Sequence, residues 1–395
     1  MILSLNAGSS SLKFALFDPS QNLERIVSGS IDRIGLAHPS LTLKDTKDGK
    51  SQIRPVSAPD HASCVELLLN SLGEHAGGSE IAALGHRVVH GGTKFTEPQQ
   101  VTAEVSRELH SLIPFAPDHL PAALGLITAF GERYANIPQI VCFDTGFHRD
   151  LPRVARLLPI PRRYEAAGVR RYGFHGLSCE FLVQELSRLD PAAAQSRVIL
   201  AHLGNGASLT AVRKAKSIDT SMAFTPAAGL MMGRRSGDID AGLVGYLAET
   251  EGMSAPQFHH LATQESGLLG VSEISSDMRE LLVVEGTDKR AAEAINLFCY
   301  QVKKWIGAFA AVLGGVDTLV FSGGIGENLP MIRARICDGL HFLGVELNAS
   351  ANAQNAPLVS MNAGKVAVRI IRTDEEIVIA RSVCRVLGID SAKEG

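Results

Sequence analysis

The chain lacks most of the features that would type a protein at sight. Its six cysteines (Cys64, Cys142, Cys179, Cys299, Cys337 and Cys384) form no C-x-x-C pair. That argues against a dithiol redox site or a zinc ribbon, and the expectation is reduced, partly buried thiols in a cytoplasmic protein. No G-x-x-x-x-G-K-[ST] run occurs, which excludes a Walker-type phosphate loop. No two histidines stand at a zinc-site spacing with a helical Glu. Lys and Arg number 38 against 41 Asp and Glu, a net charge of −3, so no broad basic field is available for nucleic acid. The longest apolar run, residues 305–316, has 12 residues and follows Lys303 and Lys304. Crossing a bilayer takes about 20, so this run reads as a buried core helix and no membrane association is expected. Residue 1 leads straight into a strand with no basic flank, apolar core or cleavage site, so no targeting segment is expected. No low-complexity linker divides the chain.

What is present is globular: 45% hydrophobic and 20% charged residues. A length of 395 residues exceeds one ordinary core, so two domains are expected. Strand-like runs fall at 2–5, 12–17, 83–90, 139–143, 198–202, 207–212, 318–322 and 366–371. Helical periodicity marks 62–72, 121–129, 180–189, 241–248, 291–313 and 375–387. The alternation indicates an α/β chain. Residues 44–60 are mostly polar without an apolar period and read as a surface connection.

Two segments about 200 residues apart echo one another. Leu3-Ser4-Leu5-Asn6-Ala7-Gly8-Ser9-Ser10-Ser11-Leu12-Lys13-Phe14 and Leu200-Ala201-His202-Leu203-Gly204-Asn205-Gly206-Ala207-Ser208-Leu209 both read as strand, tight turn, strand. Such turns bare backbone N–H groups suited to phosphate oxygens. A third glycine turn, Gly323-Gly324-Ile325-Gly326-Glu327-Asn328, follows an apolar strand and precedes a helix. Arg and His cluster on other glycine-punctuated segments: His86-Arg87-Val88-Val89-His90-Gly91-Gly92, Arg170-Arg171-Tyr172-Gly173-Phe174-His175-Gly176, and Gly233-Arg234-Arg235-Ser236-Gly237-Asp238. Guanidinium forks match carboxylate or phosphate oxygens, so these turns suit a doubly anionic site. Asp144 closes an apolar strand, where ligands of α/β sheets gather. Around Glu375, helix capping alone would account for the acids, with Thr373 as N-cap and Glu376 as its capping-box partner.

Together these segments resemble the acetate kinases, which share an actin-like ATPase core with sugar kinases and heat-shock chaperones. The resemblance runs through residues 5–14, 85–92, 143–148, 170–176, 202–208, 219–240, 266–279, 321–328 and 373–381. The run Asp219-Thr220-Ser221-Met222-Ala223-Phe224-Thr225-Pro226 with Met231-Met232-Gly233 is highly specific to acyl-phosphate-forming kinases of this group. It implies an α/β fold of duplicated actin-like ATPase (ribonuclease H-like) domains around a central cleft that closes over its substrates. Domain I would take 1–145 plus a returning C-terminal helix (about 380–395), and domain II, the nucleotide-binding domain, 146–379. The implied activity is ATP-dependent phosphorylation of a short-chain carboxylate, first of all acetate, in a cytoplasmic homodimer that uses Mg²⁺ or Mn²⁺. By position, Asn6 and Glu375 would hold the metal. Lys13, His202, Leu203, Gly204, Asn205, Gly206, Asp277, Met278, Arg279, Gly323, Gly324, Ile325, Gly326 and Glu327 would line the nucleotide site. Arg87, Val89, His119, Phe174 and Pro226 would receive the carboxylate and its methyl group, and Asp144, His175 and Arg235 would be catalytic. The chain departs from the family at Asp118, where Leu is common, and at Leu120, Arg234, Leu177 and Cys179. Those departures keep propionate or butyrate kinase as alternatives. A non-catalytic nucleotide sensor is the rival from another class, and it would not need Arg87, Asp144, His175 and Arg235 together.

Overall fold

The structure is a computed structural model that describes residues 1–8, 10–46, 49–73, 80–362 and 364–390. Ser9, in the first echo segment, lies outside the described residues. The chain divides into two compact units, Met1–Gly146 with Asp374–Gly395, and Phe147–Thr373.

In the first unit, β1 (Ile2–Ala7) is buried along its whole length, as suits a central strand covered on both faces. It pairs antiparallel with β2 (Ser11–Asp18) and parallel with β6 (Ala83–Val88). The sheet extends on one side through β3 (Glu24–Asp32), β4 (Ser40–Asp45) and β5 (Ser51–Pro55), and on the other through β8 (Gln139–Phe143) and β7 (Gln99–Gln100). Leu3 and Leu5 join Phe14, Val27 and Leu41 in a core with Val65, Leu68 and Phe130. Those last three come from the helices Cys64–Gly73 and Leu120–Arg133. The intervening residues of β1 point to the opposite face, because side chains alternate along a strand. There the helix Glu375–Leu387 packs so closely that a Cβ on Gly85 would sit 2.3 Å from Ile379 Cγ2.

The second unit repeats the plan. Its sheet runs β11 (Lys216–Thr220), β10 (Ala207–Arg213), β9 (Arg197–Leu203), β12 (Thr318–Ser322), β13 (Ala367–Ile370). As in β3-β2-β1-β6-β8, each of the first three strands runs antiparallel to its neighbour among them, and the last three are parallel. The sequence echo is thus a fold echo: each glycine turn joins the central strand to its antiparallel neighbour. The helix Gly176–Leu189 covers one face through Cys179, Leu182, Val183 and Leu186. The helix Lys289–Leu313 also packs on β9, β10 and β11. The apolar run 305–316 belongs mostly to it, with Ile306, Phe309, Ala310 and Leu313 buried.

Four expectations need correction. Residues 44–60 are not only a connection, since they hold the end of β4 and all of β5. Every residue of β5 is exposed, so this edge strand has no buried face to write an apolar alternation into its sequence. Asn6 belongs to β1 rather than to the turn, which is closed by Gly8 N–H donating to the Ser11 carbonyl at 2.7 Å. Residues 323–328 precede a helix as expected, Pro330–Cys337, but are themselves a helical turn, Gly323–Asn328. The final helix is capped by Asp374, whose carboxylate accepts from Ile377 N–H at 3.1 Å. Arg25 holds the same carboxylate at 2.5 Å, while Thr373 is drawn away into the contacts described next.

Candidate functional site

Two sets of polar groups stand out, one in each unit. In the first unit the strand period decides which side chains meet. Asn6 lies opposite Lys13 in the β1–β2 ladder, and Ser4 lies beside Gly85. Arg87, two residues beyond Gly85, therefore shares their face. Its Nη1 donates to Asn6 Oδ1 at 3.1 Å, and its Nε and Nη2 both donate to Asp144 Oδ2, the first at 3.0 Å. Asn6 Nδ2 donates in turn to Glu375 Oε2 at 2.8 Å, a bond between residues 369 positions apart. Asp144 is fully buried and Arg87 is half-buried. Burial works to lower the pKa of Arg87, but the charges of Asp144 and Glu375 outweigh it and hold the guanidinium well above its ordinary value. Glu376 is raised as well: burial and the neighbouring Glu375 charge lift it, against a smaller pull from Lys13.

Among the described residues no group of three or more His, Cys, Asp or Glu could hold a metal by itself. The donor set does fit magnesium, which takes few protein oxygens and keeps waters and substrate phosphates in its remaining positions. Asn6, Asp144 and Glu375 offer hard oxygens only, and the raised Glu376 marks negative charge that a cation would relieve. Lys13 is exposed on the same face. Of the other expected residues in this unit, Val89 is buried, and His119 sits half-buried at the start of the helix Leu120–Arg133. Asp118 is exposed.

In the second unit the ruler is Gly206. A Cβ placed there would lie 3.1 Å from His175 Nε2 and 3.6 Å from Arg235 Nη2, so both side chains bear on the turn between β9 and β10. His175 occupies the left-handed region at φ 57°. For a residue with a Cβ this is strained by about 1–3 kcal/mol, a cost typically met at functional positions. Its Nδ1 meets Ser208 Oγ at 3.0 Å, and its ring stacks on His202 with centroids 4.4 Å apart. The preceding Phe174 is buried, and its carbonyl accepts from His148 Nε2 at 3.0 Å. Burial takes His148 down to about 4, against a smaller opposing effect of that bond, so the ring is neutral and accepts from Ser217 Oγ at Nδ1. Arg235 is braced by Nη1 donating to the Pro226 carbonyl at 2.9 Å.

The third glycine turn meets the second hairpin. Gly323 has φ 76°, and a Cβ there would fall 2.6 Å from the Leu203 carbonyl, so only glycine fits. A Cβ on Gly204 would lie 3.8 Å from Gly324 N. Asn205 is exposed, and its carbonyl accepts from Gly233 N–H at 3.1 Å. The side chains of Leu203, Ile325 and Met278 turn into the core, which leaves their backbone as the part available to a ligand. Asp277 caps the helix Met278–Val284 and pairs with Arg279 at 2.6 Å. Glu327 works within the protein: Oε1 accepts from Gly323 N–H at 2.8 Å, Thr373 N–H at 3.1 Å and Ser322 Oγ at 3.2 Å.

Arginines of the glycine-punctuated segments have partners within the protein, Arg171 Nε lying 4.0 Å from Asp219 Oδ1. Arg171 donates to the carbonyls of Ala155, Thr220, Ser221 and Met222, and Arg170 lies over the Tyr172 ring at 4.8 Å. Sequence reading also missed Ser178, Ser208 and the fully buried Arg333, whose Nη1 holds the Gly326 carbonyl at 2.9 Å. Single serines and a lone arginine on a helix carry no spacing signal, so only their partners reveal them.

The profile of the acetokinase family matches residues 1–381. The chain belongs to the acetokinase family. It is 42% identical to an acetate kinase of Methylocella silvestris over 98% of both chains. It is equally identical, at 42%, to a propionate kinase of Citrobacter rodentium, over 98% of this chain and 96% of that one. Among solved structures, an acetate kinase of Porphyromonas gingivalis superposes with a TM-score of 0.87 at 36% identity, covering 98% of this chain and 99% of its own. A propionate kinase of Francisella tularensis gives 0.90 at 33% identity, covering 96% and 98%. Membership fixes the class of activity: this acetokinase is an ATP-using kinase that phosphorylates a carboxylate. Its two α/β sheets are of the duplicated actin-like ATPase type.

Proposed function

We propose that this acetokinase interconverts acetate and ATP with acetyl phosphate and ADP, as a cytoplasmic homodimer with Mg²⁺. The observation that carries the phosphoryl-transfer reading is the convergence of His175 Nε2 and Arg235 Nη2 on Gly206. Two donors aimed at one glycine turn suit the oxygens of a transferring phosphoryl group, and a nucleotide sensor would have no use for them.

An acetate oxygen is ionised at neutral pH and needs no strong general base. It attacks the γ-phosphorus, the new O–P bond forms as the bond to the β,γ-bridging oxygen breaks, and ADP leaves with that electron pair. His175 and Arg235 donate to the equatorial oxygens and neutralise the charge that spreads over them. Arg87 binds the carboxylate. Asp144, already accepting two N–H bonds from Arg87, orients that guanidinium rather than abstracting a proton. Asn6 and Glu375 would hold magnesium, which when bound supplies charge neutralisation to the phosphates. The glycine turns Gly204–Gly206 and Gly323–Gly326 offer backbone N–H groups to the nucleotide, with Lys13 as a point charge on phosphate. By the family resemblance, Val89 and His119 of the first unit and Phe174 and Pro226 of the second are the residues assigned to the acyl group. Domain I and domain II of the family would correspond to the two units.

The acyl group has a second reading. Propionate is supported as well, because the identity to the Citrobacter rodentium propionate kinase equals that to the acetate kinase. An acyl-hydroxamate assay with acetate, propionate and butyrate decides. The highest kcat/KM with acetate is expected, and a preference for propionate or butyrate would replace the substrate while leaving the mechanism. Hydroxamate from none of the acids would overturn the kinase reading.

A further inference from the structure

The residues assigned so far do not include the group that holds the two stacked histidines in place. Ser178 lies in the first turn of the helix Gly176–Leu189 and is fully buried. Its Oγ is 2.8 Å from His202 Nδ1 and 2.8 Å from Thr373 Oγ1. The Thr373 N–H donates to Glu327 Oε1, which also receives Gly323 N–H. One hydroxyl therefore joins the helix start that carries His175, the β9–β10 hairpin, the glycine turn after β12 and the segment after β13.

We propose that Ser178 is a positioning residue of the phosphoryl-transfer site: it fixes the His202 ring, and through the ring stack the His175 ring, against the glycine turns. The proposal rests on the kinase reading above. Its physical basis is that a serine hydroxyl has one proton and two partners here. With Thr373 donating to Ser178, Ser178 donates to His202 Nδ1, and neutral His202 carries its proton on Nε2. With the direction reversed, Ser178 donates to Thr373 and accepts from Nδ1–H, which suits imidazolium. In both states the Nδ1 bond persists, and Nε2, on the side of Gly204, presents an N–H. Titratable or charged groups near this network include His175, stacked on the ring, Arg235 beside Gly206, and Glu327, which accepts from Thr373 N–H. The same Ser178 bond thus holds the ring that stacks on His175 at 4.4 Å in either hydrogen-bond direction.

The test uses S178A, T373V and the double variant in the full chain, with kinetics across pH and thermal melts. S178A should lower kcat/KM for ATP about tenfold, the size of one lost buried hydrogen bond. It should also displace the pH–rate profile and leave KM for the carboxylate within about twofold. T373V should act in the same direction less strongly, and the double variant should be no worse than S178A because both cut one relay. An unmoved profile with unchanged kcat/KM for ATP in folded S178A overturns the proposal, as does additive loss in the double variant. If S178A does not fold, T373V decides, since it keeps its volume and its amide bond to Glu327; an unmoved profile there is equally fatal. Failure of the unsubstituted chain to phosphorylate any acid is a separate result, and it removes the kinase reading itself.

Discussion

Replacing Gly206 by alanine tests the convergence of His175 and Arg235 directly. Gly206 is not in the left-handed region, so alanine meets no backbone penalty of that kind. The new methyl would lie 3.1 Å from His175 Nε2, 3.3 Å from Cε1 and 3.6 Å from Arg235 Nη2. Comfortable carbon contacts begin at about 3.5 Å, so the imidazole must retreat by a few tenths of an ångström. It has little room to do so, since Nδ1 is tied to Ser208 and one ring face is stacked on His202. The methyl also takes the space in which the two donors would meet an equatorial oxygen. Misplacement by about 1 Å costs about 10²-fold, so G206A should lose roughly 10- to 100-fold in kcat. A change in Tm of no more than about 4 °C is expected, since surface-accessible turns tolerate a methyl at about 1 kcal/mol. Hydroxamate formation and a melt on the same preparation give both numbers. Activity within about threefold of the unsubstituted chain would refute the convergence, and a large loss accompanied by a collapse in Tm would place the effect in folding.

Three further outcomes follow from the same geometry. Arg235→Ala should cut turnover by about 10²–10³-fold with little change in carboxylate KM, as for other single electrostatic stabilisers; a normal rate would end its assigned role. Arg87→Ala removes the guanidinium from the fully buried Asp144 and should cost about 3–5 kcal/mol of stability as well as activity. R87M/D144L should then recover Tm but not turnover, and recovery of neither would show that the pair does not carry the loss. His86 and His148 are both pushed to about 4, chiefly by burial, below an unfolded value near 6.5. Between those values the unfolded chain binds more protons, so stability should be full above about pH 6.5 and fall as the pH drops toward 4. Melts across that range should flatten in H86Q, and an unchanged slope would remove His86 from the account.

Much of the fold was legible because its cues are local. The runs at 139–143, 318–322 and 375–387 coincide with observed elements, since each is an uninterrupted apolar strand or an amphipathic helix with clear ends. β3 and β4 gave no clear signal, and β5 gave none, because strands on the open side of a sheet carry mixed faces. The cap of the last helix was misassigned for a tertiary reason. Thr373 has a hydroxyl fit for capping, but Ser178 and Glu327 hold it elsewhere, and Asp374, anchored by Arg25, takes the position.

What the sequence determined by itself is the repeated strand-turn-strand unit and the family, because glycine turns and contiguous motifs depend only on neighbours along the chain. What each arginine touches was decided by the fold alone. Arg171 and Arg235 sit in equally suggestive glycine-punctuated segments, yet one is spent on carbonyls and the other bears on Gly206. The same holds for Asn6, Arg87, Asp144 and Glu375, which meet only because strand alternation and a returning helix bring one end of the chain onto the other. Hydrogen bonds between residues hundreds of positions apart are set by packing, and packing leaves no mark at any single position.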